Sequence, residues 1–345
     1  MKVIRFLLFP IAIIYDIVTS IRNILFDKNI YKNESFFIPV IAVGNLSVGG
    51  TGKSPQIEYL IRLLSKNYKL ATLSRGYKRK ERGFQVVSSK HSAEDVGDEP
   101  LQFYKKFKDE ITVAVDANRV NGIKQLIERN NKLEVILLDD AFQHRKVKAS
   151  LYVLLTKYKD LFADDFILPT GNLRESRRGA KRANIIVITK CPDSLSDKEQ
   201  KDIIKKINPE STQEVFFTSI SYDDRLYGNK SMPIKELIGK EIVVVTGIAK
   251  PAPFLQFLKD KKIKVKYLKF PDHHQFTKGD IEKIRLTYDS IKSSKKLILT
   301  TEKDFVRLES KVDNLFYLPI ESSFLKDDKQ KFDSLIETHV KAMHS

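Results

Sequence analysis

The stretch that decides the fold is residues 36–65, which read FFIPVIAVGNLSVGGTGKSPQIEYLIRLLS. A run of β-branched residues leads into a glycine-rich loop, and an amphipathic helical pattern follows it. This order turns consecutive backbone N–H groups and a helix N-terminus toward phosphate oxygens. Lys53 would then reach the β- and γ-phosphates of a nucleotide, and the Ser54 hydroxyl would ligate Mg²⁺. The residues expected to hold the phosphates are Gly49, Gly50, Thr51, Gly52, Lys53 and Ser54.

A phosphate loop needs an acidic partner at the end of a neighbouring strand. Residues 134–140 read EVILLDD, so that Asp139 and Asp140 follow four apolar residues. A carboxylate in that place holds Mg²⁺ directly or through water, and two adjacent aspartates repel each other unless a cation compensates. Ser47 stands where the strict loop pattern has glycine, which leaves a glycine-rich turn without a ligand as the alternative. The context favours the phosphate loop.

Short apolar runs alternate with helical patterns over the rest of the chain. Such runs are typical of parallel strands that helices cover on both faces. The elements predicted in a first block are strands at 36–43, 69–73, 111–115, 135–138, 151–155 and 185–189, and helices at 55–65 and 117–130. Those predicted in a second block are strands at 241–246, 265–270 and 297–300, and helices at 251–259 and 277–291. The pattern predicts the α/β class, with a doubly wound, mostly parallel sheet and a second, smaller α/β domain.

Length and composition narrow the class further. The chain has 345 residues, enough for about two domains. Lysine and arginine outnumber aspartate and glutamate by 61 to 44, and this net charge of +17 attracts nucleic acid, anionic lipid or phosphorylated substrates. The single cysteine, Cys191, excludes an internal disulfide and a cysteine-based metal site. The predicted segments are an N-terminal helix at 1–30, a phosphate-loop domain at 31–213, an extended connector at 214–240 and a C-terminal α/β domain at 241–345.

The N-terminal segment is strongly apolar. Residues 3–26 read VIRFLLFPIAIIYDIVTSIRNILF, with apolar side chains at helical spacing on one face and Asp16 and Arg22 on the other. A signal peptide would need a small-residue cleavage site, which does not follow, and a spanning helix would have to carry both charged residues. An amphipathic helix in the membrane interface fits the pattern best. The alternative is a helix buried against the core of the protein itself.

Three further clusters lie in predicted loops: residues 74–77 (SRGY), 97–100 (GDEP) and 272–274 (DHH). The first offers a cation and an aromatic ring, and the second offers two carboxylates where phosphoryl transfer needs one base. The third lies at the carboxyl end of a predicted strand, where α/β sheets bind ligands. Taken alone, the first is an ordinary basic turn and the third is a solvated pair of histidines. No spacing typical of a zinc site or of a serine-nucleophile elbow occurs.

Taken in order, these motifs resemble the tetraacyldisaccharide 4'-kinase family, the inner-membrane kinases of lipid A synthesis. The resemblance covers most of the chain, and its DDxFQHR and DHH elements are far more specific than the phosphate loop. Three mild departures are Ser54 where threonine is common, Ala141 where glycine is common and Asn172 where proline is common. The matching motifs are VGNLSVGGTGKSP (43–55), LSRGYKRK (73–80), GDEP (97–100), LLDDAFQHR (137–145), LPTGNLRES (168–176), TGIAKPAPF (246–254), FPDHHQF (270–276) and TTEKD (300–304).

The resemblance implies transfer of the ATP γ-phosphate to the 4'-hydroxyl of a tetraacylated glucosamine disaccharide 1-phosphate. Asp98 would accept the hydroxyl proton, paired with His273 of the second domain, which is chosen over His274 by family position. Closure of the domains would bring this dyad together and exclude water. The residues that carry over as ATP and Mg²⁺ contacts are Thr51, Lys53, Ser54 and Asp139. Those that carry over as further contacts of the substrates are Arg75, Tyr77, Glu99, Asp140, Gln143 and Arg174.

The resemblance also implies an anionic glycolipid substrate at the cytoplasmic face of the inner membrane, with no nucleic acid and no obligate protein partner. Two alternatives remain open. A membrane-recruited ATPase of the deviant phosphate-loop type would have the same glycine pair, but Val48 stands where its signature lysine is expected. A nucleic-acid-binding protein would explain the charge, but the basic residues are dispersed and no binding module is recognised. Labelling of lipid by ATP, as opposed to hydrolysis alone, separates the kinase from the ATPase.

Overall fold

A computed structural model describes residues 5–77, 79–272, 274–293 and 296–344. The chain divides into two compact units. The first unit comprises Met1–Lys90, Phe103–Ser221 and Glu321–Ser345, and the second comprises His91–Gln102 and Tyr222–Ile320.

Strands and helices alternate along most of the chain. The strands are β1 (Val40–Asn45), β2 (Leu70–Ser74), β3 (Gln85–Val86), β4 (Ile111–Val115), β5 (Val135–Asp139), β6 (Leu151–Lys157), β7 (Ile185–Thr189), β8 (Glu214–Tyr222), β9 (Arg225–Gly228), β10 (Met232–Pro233), β11 (Glu241–Thr246), β12 (Lys264–Lys269), β13 (Ile298–Thr301), β14 (Leu315–Leu318) and β15 (Ile320–Phe324). The helices are α1 (Phe9–Asp27), α2 (Lys53–Leu64), α3 (Ala93–Val96), α4 (Asp98–Phe107), α5 (Arg119–Arg129), α6 (Asp197–Ile207), α7 (Ala252–Asp260), α8 (Lys278–Asp289), α9 (Glu302–Leu308) and α10 (Asp328–His344).

The larger sheet has nine strands in the order β15-β8-β7-β6-β1-β5-β2-β4-β3. From β8 to β4 all neighbours are parallel, and β3 is paired antiparallel to β4 at the end of the sheet. Every residue of β1 and β5 is buried, as expected for central strands that are covered on both faces. In the register of these two strands Val43 lies opposite Asp139. The loop after β1 and the acidic pair after β5 therefore begin at the same edge of the sheet.

The smaller sheet has six strands in the order β10-β9-β14-β13-β11-β12. The four strands from β14 to β12 are parallel, while β9 and β10 pair antiparallel at the other end. The edge strand β12 carries Lys264, Lys266 and Lys269. Lysines on an exposed edge discourage pairing with another chain. The predicted α/β class, with a large and a small sheet, is confirmed.

The predicted domain boundaries differ from the observed division. Residues 214–222 are strand β8 of the larger sheet, so the segment 214–240 is not a connector. Residues 321–345 belong to the first unit rather than to the C-terminal domain, and residues 91–102 belong to the second unit. The reason is long-range strand and helix packing, which a local hydrophobic pattern does not reveal.

Helix α10 belongs to the first unit because of an aromatic cluster. Phe332 on this helix is fully buried. Its ring centroid lies 4.6 Å from that of Phe324, 5.3 Å from that of Phe216 and 5.8 Å from that of Tyr59. These rings come from β15, β8 and α2 of the first unit. Burial of a phenylalanine side chain contributes about 1.5–3 kcal/mol, so the cluster holds the end of the chain on the larger sheet.

We expect Phe332→Ala to lower the free energy of unfolding by about 3–5 kcal/mol, because it leaves a cavity among these rings. Urea denaturation followed by far-ultraviolet circular dichroism measures this loss. Gln330→Ala, an exposed position on the same helix, is the matched control and should leave the stability unchanged. A Phe332→Ala protein as stable as the control would contradict this packing.

Candidate functional site

The loop between β1 and α2 is shaped by glycines and held by the end of β7. Gly49 and Gly52 have φ of +100° and +88°, a left-handed conformation that only glycine adopts without steric cost. The Thr189 hydroxyl donates to the Thr51 carbonyl at 2.7 Å. The Lys190 ammonium donates to the Gly50 carbonyl at 2.8 Å. The carbonyls of Gly50 and Thr51 are therefore occupied by hydrogen bonds from the end of β7 and the residue after it.

A buried hydroxyl marks this loop as a ligand site. Thr51 is only 1% exposed, and its Oγ1 atom has no hydrogen-bond partner among the described residues. An unsatisfied buried polar group costs about 1–3 kcal/mol, so an oxygen or metal ligand at this place would stabilise it. Lys53 and Ser54 begin α2 directly after the loop. The helix N-terminus thus adds a favourable dipole to the same place.

Lys53 belongs to a network of alternating charges. Its ammonium lies 3.5 Å from Asp140 Oδ1 and donates to Asn45 Oδ1 at 3.2 Å. Arg174 Nη1 donates to both oxygens of Asp140, at 2.9 and 3.0 Å. Burial by itself would raise the pKa of the Asp140 carboxyl, but the two cations outweigh it and hold this pKa below its usual range. Asp140 is therefore ionised at neutral pH and orients both cations.

Asp139 lies beside this network at the end of β5. It is 3% exposed, and the Ser74 hydroxyl donates to its Oδ2 atom at 3.3 Å. The close approach of the two strand ends depends on Gly44, because a Cβ atom there would lie 2.6 Å from the Cβ atom of Phe142. A side chain at position 44 would therefore push the acidic pair away from the phosphate loop.

A buried glutamate connects these residues to the N-terminal helix. Glu175 is fully buried and accepts hydrogen bonds from Gln143 Nε2 at 3.0 Å, Arg182 Nη2 at 2.8 Å and Asn23 Nδ2 at 2.7 Å. A buried carboxylate is tolerated only when it is paired in this way. No role was predicted for Glu175 from the sequence, although this residue lies within the LPTGNLRES motif at 168–176. Gln143 also donates to the Asn45 carbonyl at 2.9 Å. The hydrogen-bond hub formed by Glu175 and its three donors therefore extends to Asn45, at the start of the phosphate loop.

A cavity of about 480 Å³ opens next to this hub. Arg22 and Phe26 of α1 line one part of it, and residues 117–118 and 143–146 line the rest. Arg145 joins the two parts, since its guanidinium lies 5.4 Å from the centre of the Phe26 ring and 2.6 Å from Asp27. Three of the eight lining residues, Arg22, Arg145 and Lys146, are cationic, and all eight lie within the first unit.

Burial lowers the pKa of His144 from its usual value to about 4, and the nearby cations Arg119, Lys146 and Arg75 lower it further in the same direction. Its imidazole is therefore neutral at pH 7, and its Nε2 atom has no hydrogen-bond partner among the described residues. Arg119 is 2% exposed, and burial lowers its pKa to about 10, which leaves it cationic. Arg75 and Tyr77 are exposed in the loop after β2. No sequence motif pointed to Arg119, whose only signal is its position shortly after a predicted strand.

Asp98 lies in the second unit, where it begins α4. Arg307 of α9 holds its carboxylate at two points, with Nε donating to Oδ1 at 2.7 Å and Nη2 donating to Oδ2. Arg307 Nη1 also donates to the His274 carbonyl at 3.1 Å. The prediction that Asp98 belongs to the first domain is wrong, because segment 91–102 belongs to the same unit as residues 222–320. Domain closure is thus not what joins Asp98 to the DHH loop.

His274, the second histidine of the DHH motif, contacts residues that hold the loop and the start of α8 in place. His274 Nε2 lies 2.9 Å from Asp280 Oδ2, and its ring stacks on Phe270 at 5.0 Å between centroids. Asp280 also forms a capping box with Thr277 at the start of α8. His274 and Thr277 hold the pKa of Asp280 at about 2. His273 lies outside the described residues, and Glu99 follows Asp98 in the first turn of α4.

The residues at the phosphate loop suit Mg²⁺ by their chemistry. Mg²⁺ takes oxygen ligands, commonly one or two carboxylates together with the phosphates of the substrate. Asp139, Asp140 and the hydroxyls of Thr51 and Ser54 are oxygen donors of this kind. Among the described residues, no three histidine, cysteine, aspartate or glutamate side chains form a cluster that could hold a metal. A nucleotide would therefore have to supply part of the coordination.

Comparisons with known proteins identify relatives over nearly the whole chain. The family model described as tetraacyldisaccharide-1-P 4'-kinase matches residues 4–341. A tetraacyldisaccharide 4'-kinase of Flavobacterium johnsoniae is 55% identical, over 99% of this chain and 98% of the relative. One of Bacteroides thetaiotaomicron is 42% identical, over 97% and 93% of the two chains. A crystal structure of LpxK from Aquifex aeolicus in complex with ATP has a TM-score of 0.78 at 31% identity, over 98% of this chain and 99% of that chain.

These similarities confirm the family that the motifs predicted, and they do not favour the membrane-recruited ATPase. The matches extend over nearly the full length of the chain and include both units. The chain therefore belongs to the tetraacyldisaccharide 4'-kinase family.

Proposed function

We propose that this kinase transfers the γ-phosphate of ATP to the 4'-hydroxyl of a tetraacylated disaccharide 1-phosphate at the cytoplasmic face of the inner membrane. The observation that carries the proposal is the phosphate loop with its unsatisfied Thr51 hydroxyl and the adjoining network of Lys53, Asp140 and Arg174. A solved relative of the same fold holds ATP. The acceptor follows from the names of the curated relatives.

On the donor side, the loop N–H groups and Lys53 would bind the β- and γ-phosphates. Ser54 and Asp139 would hold Mg²⁺, which supplies charge neutralisation at these phosphates when it is bound. Asp140 would keep Lys53 and Arg174 oriented through its ion pairs, so that their charges face the transferred group. Fixed charges of this kind are worth more than mobile ones because they need no reorganisation during the reaction.

On the acceptor side, Asp98 would accept the proton of the sugar hydroxyl, with His273 as its partner. A sugar hydroxyl is a weak nucleophile, and a positioned base contributes about 10²–10⁴-fold to its activation. The engagement of His274 with Asp280 and Phe270 supports the choice of His273 for this role.

The cationic cavity is suited to the anionic end of the acceptor. Arg22, Arg145 and Lys146 line it, and buried Arg119 and exposed Arg75 act electrostatically on its wall residue His144. Guanidinium groups bind phosphate at two points, which fixes its orientation as well as its position. We place the disaccharide head group in this cavity, with Gln143 joining it to the hub at Glu175.

Helix α1 would bind the membrane in its plane. Its buried residues include Thr19 and Asn23, whereas Ile14, Val18 and Ile21 are 64%, 60% and 52% exposed. The polar stripe thus contacts protein and the apolar stripe does not, which is the reverse of a soluble amphipathic helix. By length and composition this 19-residue helix could also cross a membrane. The bond of Asn23 to buried Glu175 favours the interfacial arrangement, because lipid cannot surround that face.

We expect Lys53→Met to lower kcat by roughly 10²–10³-fold, as removal of one charge-stabilising donor does in other enzymes. The measurement is transfer of radiolabel from ATP to detergent-solubilised lipid, with Mg²⁺ and with a chelator. Lys66→Met, at an exposed lysine just after α2, is the control and should retain activity. ATP hydrolysis without labelled lipid would contradict the kinase proposal.

Asp98→Asn should reduce kcat by about 10²–10⁴-fold and leave the KM for ATP nearly unchanged, since it removes a base but no nucleotide contact. Steady-state kinetics with both substrates varied measures the two constants. Asp109→Asn, an exposed aspartate in a short turn, serves as the comparison. Wild-type turnover in Asp98→Asn would remove this residue from the chemistry.

Replacing Ile14 and Val18 by glutamate should weaken binding to vesicles of phosphatidylethanolamine and phosphatidylglycerol by at least about tenfold, because each apolar side chain contributes about 1.5–3 kcal/mol when buried. Flotation or sedimentation of the vesicles measures the bound fraction. Leu286→Glu, at a leucine on α8 that is 62% exposed, is the matched control. Equal binding of all three proteins would exclude a membrane role for this stripe.

A further inference from the structure

Arg307 is the residue through which two functional motifs of the second unit meet. It lies on α9, after the TTEKD motif at 300–304, and no sequence motif predicted a role for it. Its guanidinium binds both carboxylate oxygens of Asp98 and the carbonyl of His274. The side chains of Arg307 and Asp98 are each 10% exposed. One side chain thus joins the GDEP segment to the DHH loop.

The helix that carries Arg307 is itself firmly anchored. Thr301 caps α9 and donates to Asp304 Oδ2 at 2.8 Å, while the Asp304 N–H donates back to the Thr301 hydroxyl at 3.2 Å. Asp304 Oδ2 also accepts the Gly247 N–H at 2.8 Å, which ties α9 to the end of β11. Asp304 is fully buried. Arg307 therefore extends from a rigid support rather than from a mobile loop.

His274, whose carbonyl accepts the hydrogen bond from Arg307, is also held in place. The His274 ring is held by Asp280 and packs between Phe270 at 5.0 Å and Phe276 at 5.2 Å. The carbonyl that accepts from Arg307 consequently has a defined position. A guanidinium held in this way fixes the plane of a carboxylate, because its donors form a rigid fork that matches both oxygens.

We propose that Arg307 is a positioning residue of the phosphotransfer reaction, which holds the Asp98 carboxylate in a fixed orientation against the DHH loop. The proposal rests on the role of Asp98 as base. A carboxylate has about four acceptor positions, so a two-point pair with Arg307 does not prevent it from accepting a proton. Misplacement of a catalytic group by about 1 Å costs on the order of 10²-fold in rate.

If the ion pair between Arg307 and Asp98 were purely structural, its loss would reduce the folded fraction but would not lower kcat selectively relative to KM. For Arg307→Met we expect a roughly 100-fold loss in kcat, with KM for ATP and for lipid close to the wild-type values. Arg307→Lys keeps the charge but loses the fork, and should fall between Arg307→Met and the wild type. Arg285→Met, at an exposed arginine on α8 of the same unit, is the control. Thermal melting of each variant reports its folded fraction.

A double-variant cycle tests whether Arg307 acts through Asp98. The double variant Asp98→Asn, Arg307→Met should be no slower than Asp98→Asn alone, because residues that act as a unit lose their effect together. Added guanidinium should raise the kcat of Arg307→Ala and should not raise that of Asp98→Asn, Arg307→Ala. These two results together support a positioning role.

Two outcomes overturn the proposal. One is an Arg307→Met protein with wild-type kcat while Asp98→Asn is impaired, and the other is losses that multiply in the double variant. Wild-type kcat in Asp98→Asn would overturn the base assignment itself, and with it the role of Arg307. The single variants thus separate failure of the inference from failure of the proposed mechanism.

Discussion

The structure of the first unit depends on the close approach of two parallel strand ends, β1 and β5. Val43 pairs with Asp139, and Gly44 leaves room for Phe142, so the phosphate loop and the acidic pair begin side by side. Parallel strands bring their carboxyl ends to one edge, where α/β proteins bind ligands. The charges that meet there neutralise one another: Asp140 is ionised because two cations outweigh the cost of its burial.

The same edge is coupled to the surface that we assign to the membrane. Buried Glu175 accepts from Gln143 on one side and from Asn23 of α1 on the other. A buried carboxylate that loses a partner is destabilised, so these groups hold one another in place. The helix with the exposed apolar stripe is therefore part of the site's framework. This arrangement suits an enzyme whose acceptor is a lipid and whose donor is soluble.

The motifs predicted which residue types gather at the phosphate loop, and the structure brings Lys53, Thr51, Ser54, Asp139 and Asp140 to one edge of the sheet. Alternating apolar runs predicted the α/β class correctly, and strands such as β4 and β7 have the predicted bounds. The predicted domain boundaries were wrong where a segment packs on a distant part of the chain: β8 belongs to the larger sheet, α10 belongs to the first unit, and residues 91–102 belong to the second unit. Such packing is determined by contacts between distant segments, and these contacts leave no periodic hydrophobic pattern in the sequence.

By itself, the sequence determined the class of fold and the family, and it predicted a donor site, because each depends on residues that are close along the chain. Only the tertiary structure decided which groups support those residues. Glu175 and Arg307 act through partners that are far away in sequence: Arg307 reaches Asp98 across about two hundred positions, and Asn23 reaches Glu175 across about one hundred and fifty. The polar stripe of α1 likewise faces protein because buried Glu175 needs a donor. The physical reason is that burial and charge compensation are properties of the folded neighbourhood, not of the local sequence.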